Sequence, residues 1–295
     1  MTKTSRRGGS TALYVISCFL FWISLYLYVP TLPTYAESKT TNLELVGVVL
    51  MQYGLWQTVI RIPVGILSDW LGRRKPFILS GLVLAGVAAL VMGSSTGVNG
   101  LIAGRAISGL AAGAWVLFVV AFSSLFPAEQ AVRATTLLNL VSSFGRVLAT
   151  GSNGWLIGAG GYSLPFWLAG VAALLAVLFI LPVREEPMPG VRPSLAGFLN
   201  LVKRRDVMVP SLLSTLAQYV AWATTLGFMP ILAQRLGASS VMQSLLVSGS
   251  MIVGIGGNLL SAAATRRIGP RRVVALAFTV YSLGIVAAAL SPTLL

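Results

Sequence analysis

Nine stretches of this 295-residue chain are apolar for about 20 residues or more, near 11–33, 43–67, 76–94, 99–126, 134–158, 163–183, 207–234, 239–264 and 273–290. At 1.5 Å per residue, about 20 residues in a helix cross a hydrocarbon core of about 30 Å. Only 9% of the residues are charged and 56% are apolar, against about 25% and 45–50% in a soluble domain, so these stretches read as membrane spans rather than buried core helices. Of the eight breaks between them, seven are short. The segment 184–206 is the exception: it is polar and carries Pro187, Pro189, Gly190 and Pro193, which marks a linker. The expected class is all-α, a polytopic transmembrane helix bundle. Its expected units are a six-helix half at 1–183, a cytoplasmic linker at 184–206 and a partial half of three helices at 207–295.

Lys3, Arg6 and Arg7 precede the first stretch as in a secretory signal peptide. Its apolar run is too long for that, and Pro30, Pro33 and Tyr35 stand where small residues would favour cleavage, so the sequence predicts an uncleaved first span.

The chain carries 21 Lys and Arg against 7 Asp and Glu, a formal charge of +14. In a soluble protein such a balance would raise nucleic acid as a partner, but the cations here alternate with spans. With the N-terminus inside, sixteen of them, including Arg73, Arg74, Lys75, Arg133, Arg184, Lys203, Arg266 and Arg271, fall on the cytoplasmic side and only Lys39 and Arg235 fall outside. Cations near span ends are retained in the cytoplasm. The predicted topology is therefore N-terminus inside, in a cell (inner or plasma) membrane, with the lipid bilayer rather than nucleic acid as partner.

Cys18 is the one cysteine and histidine is absent, which removes disulfide frameworks, multi-thiolate metal sites and the commonest general base. No embedded nucleophile with a base, no paired carboxylates and no G-x-x-x-x-G-K-[ST] phosphate loop are present, so neither an enzyme nor an ATP-driven pump is expected. No metal and no cofactor are expected.

Between the second and third stretches stands Gly65-Ile-Leu-Ser68-Asp69-Trp-Leu-Gly72-Arg73-Arg74-Lys75. Gly65 suits close approach of another helix, and Gly72 suits the turn out of the span. Asp69, the acid at this boundary, calls for a cationic partner: Arg73, Arg74 or the positive N-terminal end of another helix. The pattern closely resembles the loop signature of the major facilitator superfamily, in which it is understood as a latch between two halves. A decayed copy follows 197 residues later: Ala262, Arg266, Gly269, Pro270 and Arg271 fall on Gly65, Asp69, Gly72, Arg73 and Arg74. The resemblance implies two halves related as parallel repeats with substrate between them near the midplane. It also implies two halves of six spans, so six plus three reads as a fragment or a truncated product.

Charges inside spans cost about 2.5–3.5 kcal/mol each on insertion scales and by default face the bundle interior. Arg61, Arg105 and Arg146 qualify. Tyr53, Gln57 and Arg61 repeat every four residues on one face of the second stretch; Asn139 and Ser142 or Ser143 share a face with Arg146; Ser214, Gln218 and Thr225 accompany Trp222 in the seventh. Arg105 to Gly109 resembles the family's span-four motif R-x-x-x-G. Antiporters of the family carry G-x-x-x-G-P-x-x-G-G in span five, where this chain keeps only the outer glycines and has Ala149 for the second glycine, Thr150 for proline and Asn153 for the first of the final glycines, which leaves the direction of transport open. Gly151, Gly154 and Gly158 there are expected to permit close helix packing.

No Asp, Glu or His lies deep in any stretch, whereas three interior arginines do, and that balance favours an anionic or carboxylate-bearing solute or an exported amphiphile. The resemblance thus implies a monomeric secondary transporter working by alternating access on a small solute, with a coupling ion where one is used. Its substrate path is expected to include Tyr53, Gln57, Arg61, Arg105, Asn139, Ser143, Arg146, Gln218 and Trp222. A truncated, non-transporting membrane protein with a regulatory or receptor-like role is the alternative.

Overall fold

The computed structural model describes residues 3–185 and 203–290. Twelve α-helices follow one another: α1 Lys3–Tyr26, α2 Leu32–Lys39, α3 Leu43–Leu71, α4 Lys75–Gly93, α5 Val98–Ala112, α6 Trp115–Ser123, α7 Ala131–Gly160, α8 Ser163–Ile180, α9 Arg205–Ala221, α10 Met229–Arg235, α11 Ser240–Ile268 and α12 Pro270–Ala289. A π-helical segment, Trp222–Phe228, joins α9 to α10. No strand occurs among the described residues. Most of the expected linker, residues 186–202, lies outside them.

Seven helical segments are long and apolar enough to cross a membrane: Gly9–Tyr26, Leu43–Leu71, Lys75–Gly93, Val98–Ser123, Ser163–Ile180, Arg205–Arg235 and Ser240–Ile268. The other two expected spans are present as helices outside that set. α7 has thirty residues but carries Arg133, Asn139, Arg146, Thr150 and Asn153, which lower its apolarity; α12 has twenty residues. Three expected spans are also interrupted. The first ends at Tyr26, because Pro30 disfavours helix at Val29 and cannot donate to a continuing ladder, and the chain restarts as α2 with Pro33 in its first turn. The fourth breaks between α5 and α6 at Gly113 and Ala114, where a side chain on Gly113 would overlap Ile60. The seventh is α9, the π segment and α10 in succession.

α4 packs between α5 and α8, α1 runs against α7 and α8, and α3 against α5. Small residues set these spacings: Ala85, Ala88 and Ala89 on α4 and Ala169, Ala173 and Ala176 on α8 are buried, as helix interfaces in lipid require. The opposite face of α8 exposes Trp167, Leu168, Val171, Leu174, Leu175 and Leu178, an apolar girdle that suits hydrocarbon and not water.

The two helices α3 and α11 are both 29 residues long, and both of their ends are offset by 197 residues. Each is closed by a glycine with positive φ, Gly72 at 64° and Gly269 at 83°. The loop signature and its decayed copy therefore end equivalent helices at a glycine of positive φ, Gly72 left-handed helical at ψ 17° and Gly269 extended at ψ 157°.

α7 and α11 cross at one end of the bundle. A methyl group on Gly154 would overlap the backbone of Ser240 and Val241, while Gly151 makes ordinary contact with Ser248. From Ile252 onward the described side chains of α11 are half-buried or exposed, and α9 has no buried residue. The bundle is joined at the end near Gly154 and splayed at the end that carries the Gly65–Lys75 motif.

Candidate functional site

Arg105 is 3% exposed on α5, and its guanidinium carbon lies 4.4 Å from the centroid of the Tyr53 ring on α3. The spacing that achieves this is the R-x-x-x-G pair. One turn beyond Arg105, Gly109 faces the carbonyl of Tyr53, where an added methyl would stand 2.6 Å from the oxygen, so only glycine lets α3 come this close. The other face of Tyr53 stacks on Trp222, with centroids 5.3 Å apart and 18° between planes. Arginine, tyrosine and tryptophan thus form one column from α5 through α3 to the start of the π segment. The Tyr28 hydroxyl lies within hydrogen-bonding reach of the guanidinium and of Ser108, whereas Arg105 Nε and Nη1 and the Tyr53 hydroxyl have no hydrogen-bond partner among the described residues. The Ser108 hydroxyl is turned away, donating to the Arg105 carbonyl at 2.8 Å.

Arg146, half-buried on α7, is held differently. Its guanidinium lies 4.9 Å from the ring centre of Trp22 and 5.7 Å from that of Tyr26, two α1 residues spaced by four. Nε donates to the Ser142 carbonyl and Nη2 to the Ser143 hydroxyl, both at 3.3 Å. Nη1 has no hydrogen bond to a described residue. Trp22 in turn meets Trp115 edge-to-face at 5.1 Å. Both arginines, with Tyr26 and Tyr28, lie close enough to Tyr53 to act on it electrostatically.

Of the nine expected path residues, Tyr53, Arg105 and Trp222 come together, and Ser143 joins Arg146. Gln57 is half-buried; Arg61, Asn139 and Gln218 are exposed, and none of these four enters either arginine cluster. Trp22, Tyr26, Tyr28 and Trp115 were not anticipated. The four-residue spacing of Trp22 and Tyr26 was the available sign, but it is the spacing of ordinary packing too.

The joined end is polar. Asn153 donates to the Leu27 carbonyl at 2.7 Å, and its carboxamide oxygen accepts from Thr31 at 2.9 Å and Ser244 at 3.2 Å. Ser248 donates to Thr150 at 2.9 Å. Farther out, Arg235 pairs with Glu37 at 2.7 Å. Thr150 and Asn153, two of the three departures from the antiporter pattern, are α7 side chains that hydrogen-bond to α11. Gly158 has open space around it, unlike Gly151 and Gly154, because α11 starts below its level.

At the splayed end Asp69 pairs with Arg74 at 3.6 Å, within its own motif. Gly65, expected to admit another helix, faces open space in this arrangement. Gly72 makes the expected turn, and Arg73 is exposed. A feature not anticipated is Glu185, whose carboxylate accepts from the backbone N–H of Arg74 at 2.5 Å and of Lys75 at 3.0 Å at the start of α4. The Lys75 ammonium donates to the carbonyls of Leu181 and Val183.

A groove of about 520 Å³ lies elsewhere, between the π segment, α11 and α12, lined mainly by apolar groups and by Thr224, Ser261 and Tyr281. It contains no charged group, so the arginine clusters remain the better candidate for selective chemistry.

Comparison with known proteins agrees with this architecture. The model of the Major Facilitator Superfamily matches residues 14–295. The chain is 35% identical over 131 residues to the inner membrane transport protein YajR of Escherichia coli, which covers 44% of this chain and 28% of that protein. It is 24% identical over 184 residues to the quinolone resistance protein NorA of Staphylococcus aureus, covering 62% and 46%. The chain thus spans less than half the length of these relatives. Among solved structures, a bacterial homolog of the human lysosomal transporter Spinster superposes with a TM-score of 0.74 at 16% identity, over 92% of this chain and 64% of that one.

Proposed function

The chain belongs to the Major Facilitator Superfamily, and from that premise we propose that it acts in secondary transport, moving a small anionic or carboxylate-bearing solute by alternating access. The observation that supports this most directly is the Arg105–Tyr53–Trp222 column beside the Arg146 cluster: fixed cations and aromatic faces converge where the helices before the linker meet the helix after it. In this reading residues 1–183 and 207–295 are the two moving halves and 184–206 is their cytoplasmic linker. The N-terminus and the Gly65–Lys75 loop face the cytoplasm of a cell whose inner or plasma membrane holds the protein. The end closed by Asn153 and Gly154 is then the outer one, and the arrangement is inward-open. Arg146, half-exposed with Nη1 unengaged, receives the solute's negative charge, while Arg61, Gln57, Asn139 and Gln218 line its approach. The carrier works as a monomer.

Reconstitution in proteoliposomes and a screen of radiolabelled organic anions tests the reading. Transport of at least one anion is expected, with loss on Arg146→Gln. Undiminished transport by that variant removes the role of Arg146, and absence of transport by the wild-type chain favours a non-transporting, regulatory role.

A further inference from the structure

We propose that the groove between the π segment, α11 and α12 is a binding site for an anionic phospholipid: one acyl chain lies in the groove, and the phosphate is held at its end by Arg266, Arg267, Arg271 and Arg272. The two copies of the loop signature differ in how their cations are answered. In the first, Asp69 pairs with Arg74, and Glu185 accepts from the N–H groups of Arg74 and Lys75. In the second, Arg266 occupies the position of Asp69, and Arg271 and Arg272 those of Arg74 and Lys75. Neither α11 nor α12 contains an Asp or a Glu. All four arginines are exposed, and among the described residues none of them forms an ion pair. Four like charges gathered at one turn repel each other, and a guanidinium cannot relieve this by losing a proton. The turn therefore calls for an anion from outside the chain.

The groove decides which anion. Leu260, Ala264 and Ile268 on α11 line one wall, and Val273, Leu276 and Val280 on α12 line another. Arg267 stands three residues beyond Ala264 and Arg272 four before Leu276, so each extends one of these helical stripes to the turn. From Val273 to Ile285, both in the lining, the groove runs about 18 Å at 1.5 Å per residue, close to the depth of one leaflet, half of a hydrocarbon core of about 30 Å. Two of its polar residues, Thr224 and Tyr281, are engaged with each other at 2.8 Å, so its interior favours hydrocarbon. A free phosphate would use the arginines and leave the groove empty. A zwitterionic lipid would fill the groove and leave the charges unanswered. An anionic phospholipid does both, and cations clustered beside the end of a spanning helix draw such lipids. The site needs only that the helices lie in a membrane and is independent of the carrier reading.

Native mass spectrometry of the purified full chain, titrated with phosphatidylglycerol or with phosphatidylcholine of the same acyl chains, tests the site. One phosphatidylglycerol is expected to bind about tenfold more tightly than phosphatidylcholine. Arg267→Gln combined with Arg272→Gln is expected to remove most of that preference, and Ala277→Phe, which narrows the groove, to weaken the binding of both lipids. Equal binding of the two lipids by the wild type, a preference that survives the arginine pair, or binding that Ala277→Phe leaves unaltered overturns the proposal. Displacement of phosphatidylglycerol by inorganic phosphate would show a free-anion site and overturns it as well. A second measurement needs no variant: phosphatidylglycerol with a photoreactive diazirine on its acyl chain is expected to label peptides from residues 222–228 and 257–285. Label found only outside these residues also overturns the proposal. Lipid preference without transport of any anion would count against the carrier reading alone, and transport without lipid preference against this site alone.

Discussion

Asn153 on α7 and Ser244 on α11 are joined by a buried hydrogen bond of 3.2 Å, and the same carboxamide oxygen accepts from Thr31 while its nitrogen donates to Leu27. One side chain therefore ties α7 and α11 to the turn between α1 and α2 at the joined end of the bundle. Beside it, Ser248 and Thr150 make a second crossing at 2.9 Å.

Replacing Asn153 with alanine leaves two hydroxyls and a carbonyl without their partner, at a cost of about 1–3 kcal/mol. The Asn153→Ala chain is expected to melt at lower temperature and to populate an arrangement open at this end. Spin-label distances between positions near Ser38 and Leu236 check it; an unchanged distance distribution would show that the seam is held by packing alone.

Gly154→Ala is expected to act more strongly on the closed state, because a methyl there meets backbone atoms of Ser240 and Val241 that cannot rotate away. A destabilisation of about 1–3 kcal/mol is anticipated. Cysteine cross-linking between the start of α11 and the end of α7 should slow severalfold, whereas Gly158→Ala, with open space around it, should leave that rate unaltered.

The Glu37–Arg235 pair is more exposed, at 26% and 58% of the two side chains, and should contribute at most about 1 kcal/mol. Glu37→Gln is expected to lower thermal stability slightly in low salt and not at all in high salt, since screening already removes such a pair. A loss that persists in high salt would point to packing of Glu37 rather than its charge.

Glu185 accepts from the N–H groups of Arg74, just before α4, and of Lys75, its first residue, where the helix dipole favours a carboxylate. Glu185→Gln is expected to cost about 1 kcal/mol and to raise amide exchange of residues 74–78 above that of the rest of α4. Exchange unchanged in that turn would rule out the cap.

Gly109→Ala separates α3 from α5 at Tyr53 and should disturb the Arg105 column without touching Arg105 itself. Tryptophan fluorescence from Trp222, with the other tryptophans replaced by phenylalanine, is expected to shift as its stack on Tyr53 loosens. An emission spectrum identical to that of the parent would mean that α3 adapts.

The spans were legible because hydrocarbon thickness sets a length that apolar runs display directly. Their interruptions were not: Pro30 and Pro33 lie inside an apolar run, and hydropathy counts their composition without their missing N–H. Arg105 and Arg146 stood out as charges in apolar surroundings, yet which aromatics they meet depends on helix rotation. Thr150 and Asn153 were noticed as departures from a pattern, but their meaning required α11 to be placed against α7.

Glu185 fastens the exit of α8 to the entry of α4, and Gly72 fixes the bend between α4 and α3. Three helix ends are thereby riveted into one plate. A pull applied at Glu185 is borne by the whole plate, so force spreads across α3, α4 and α8 together instead of peeling one helix from its neighbours.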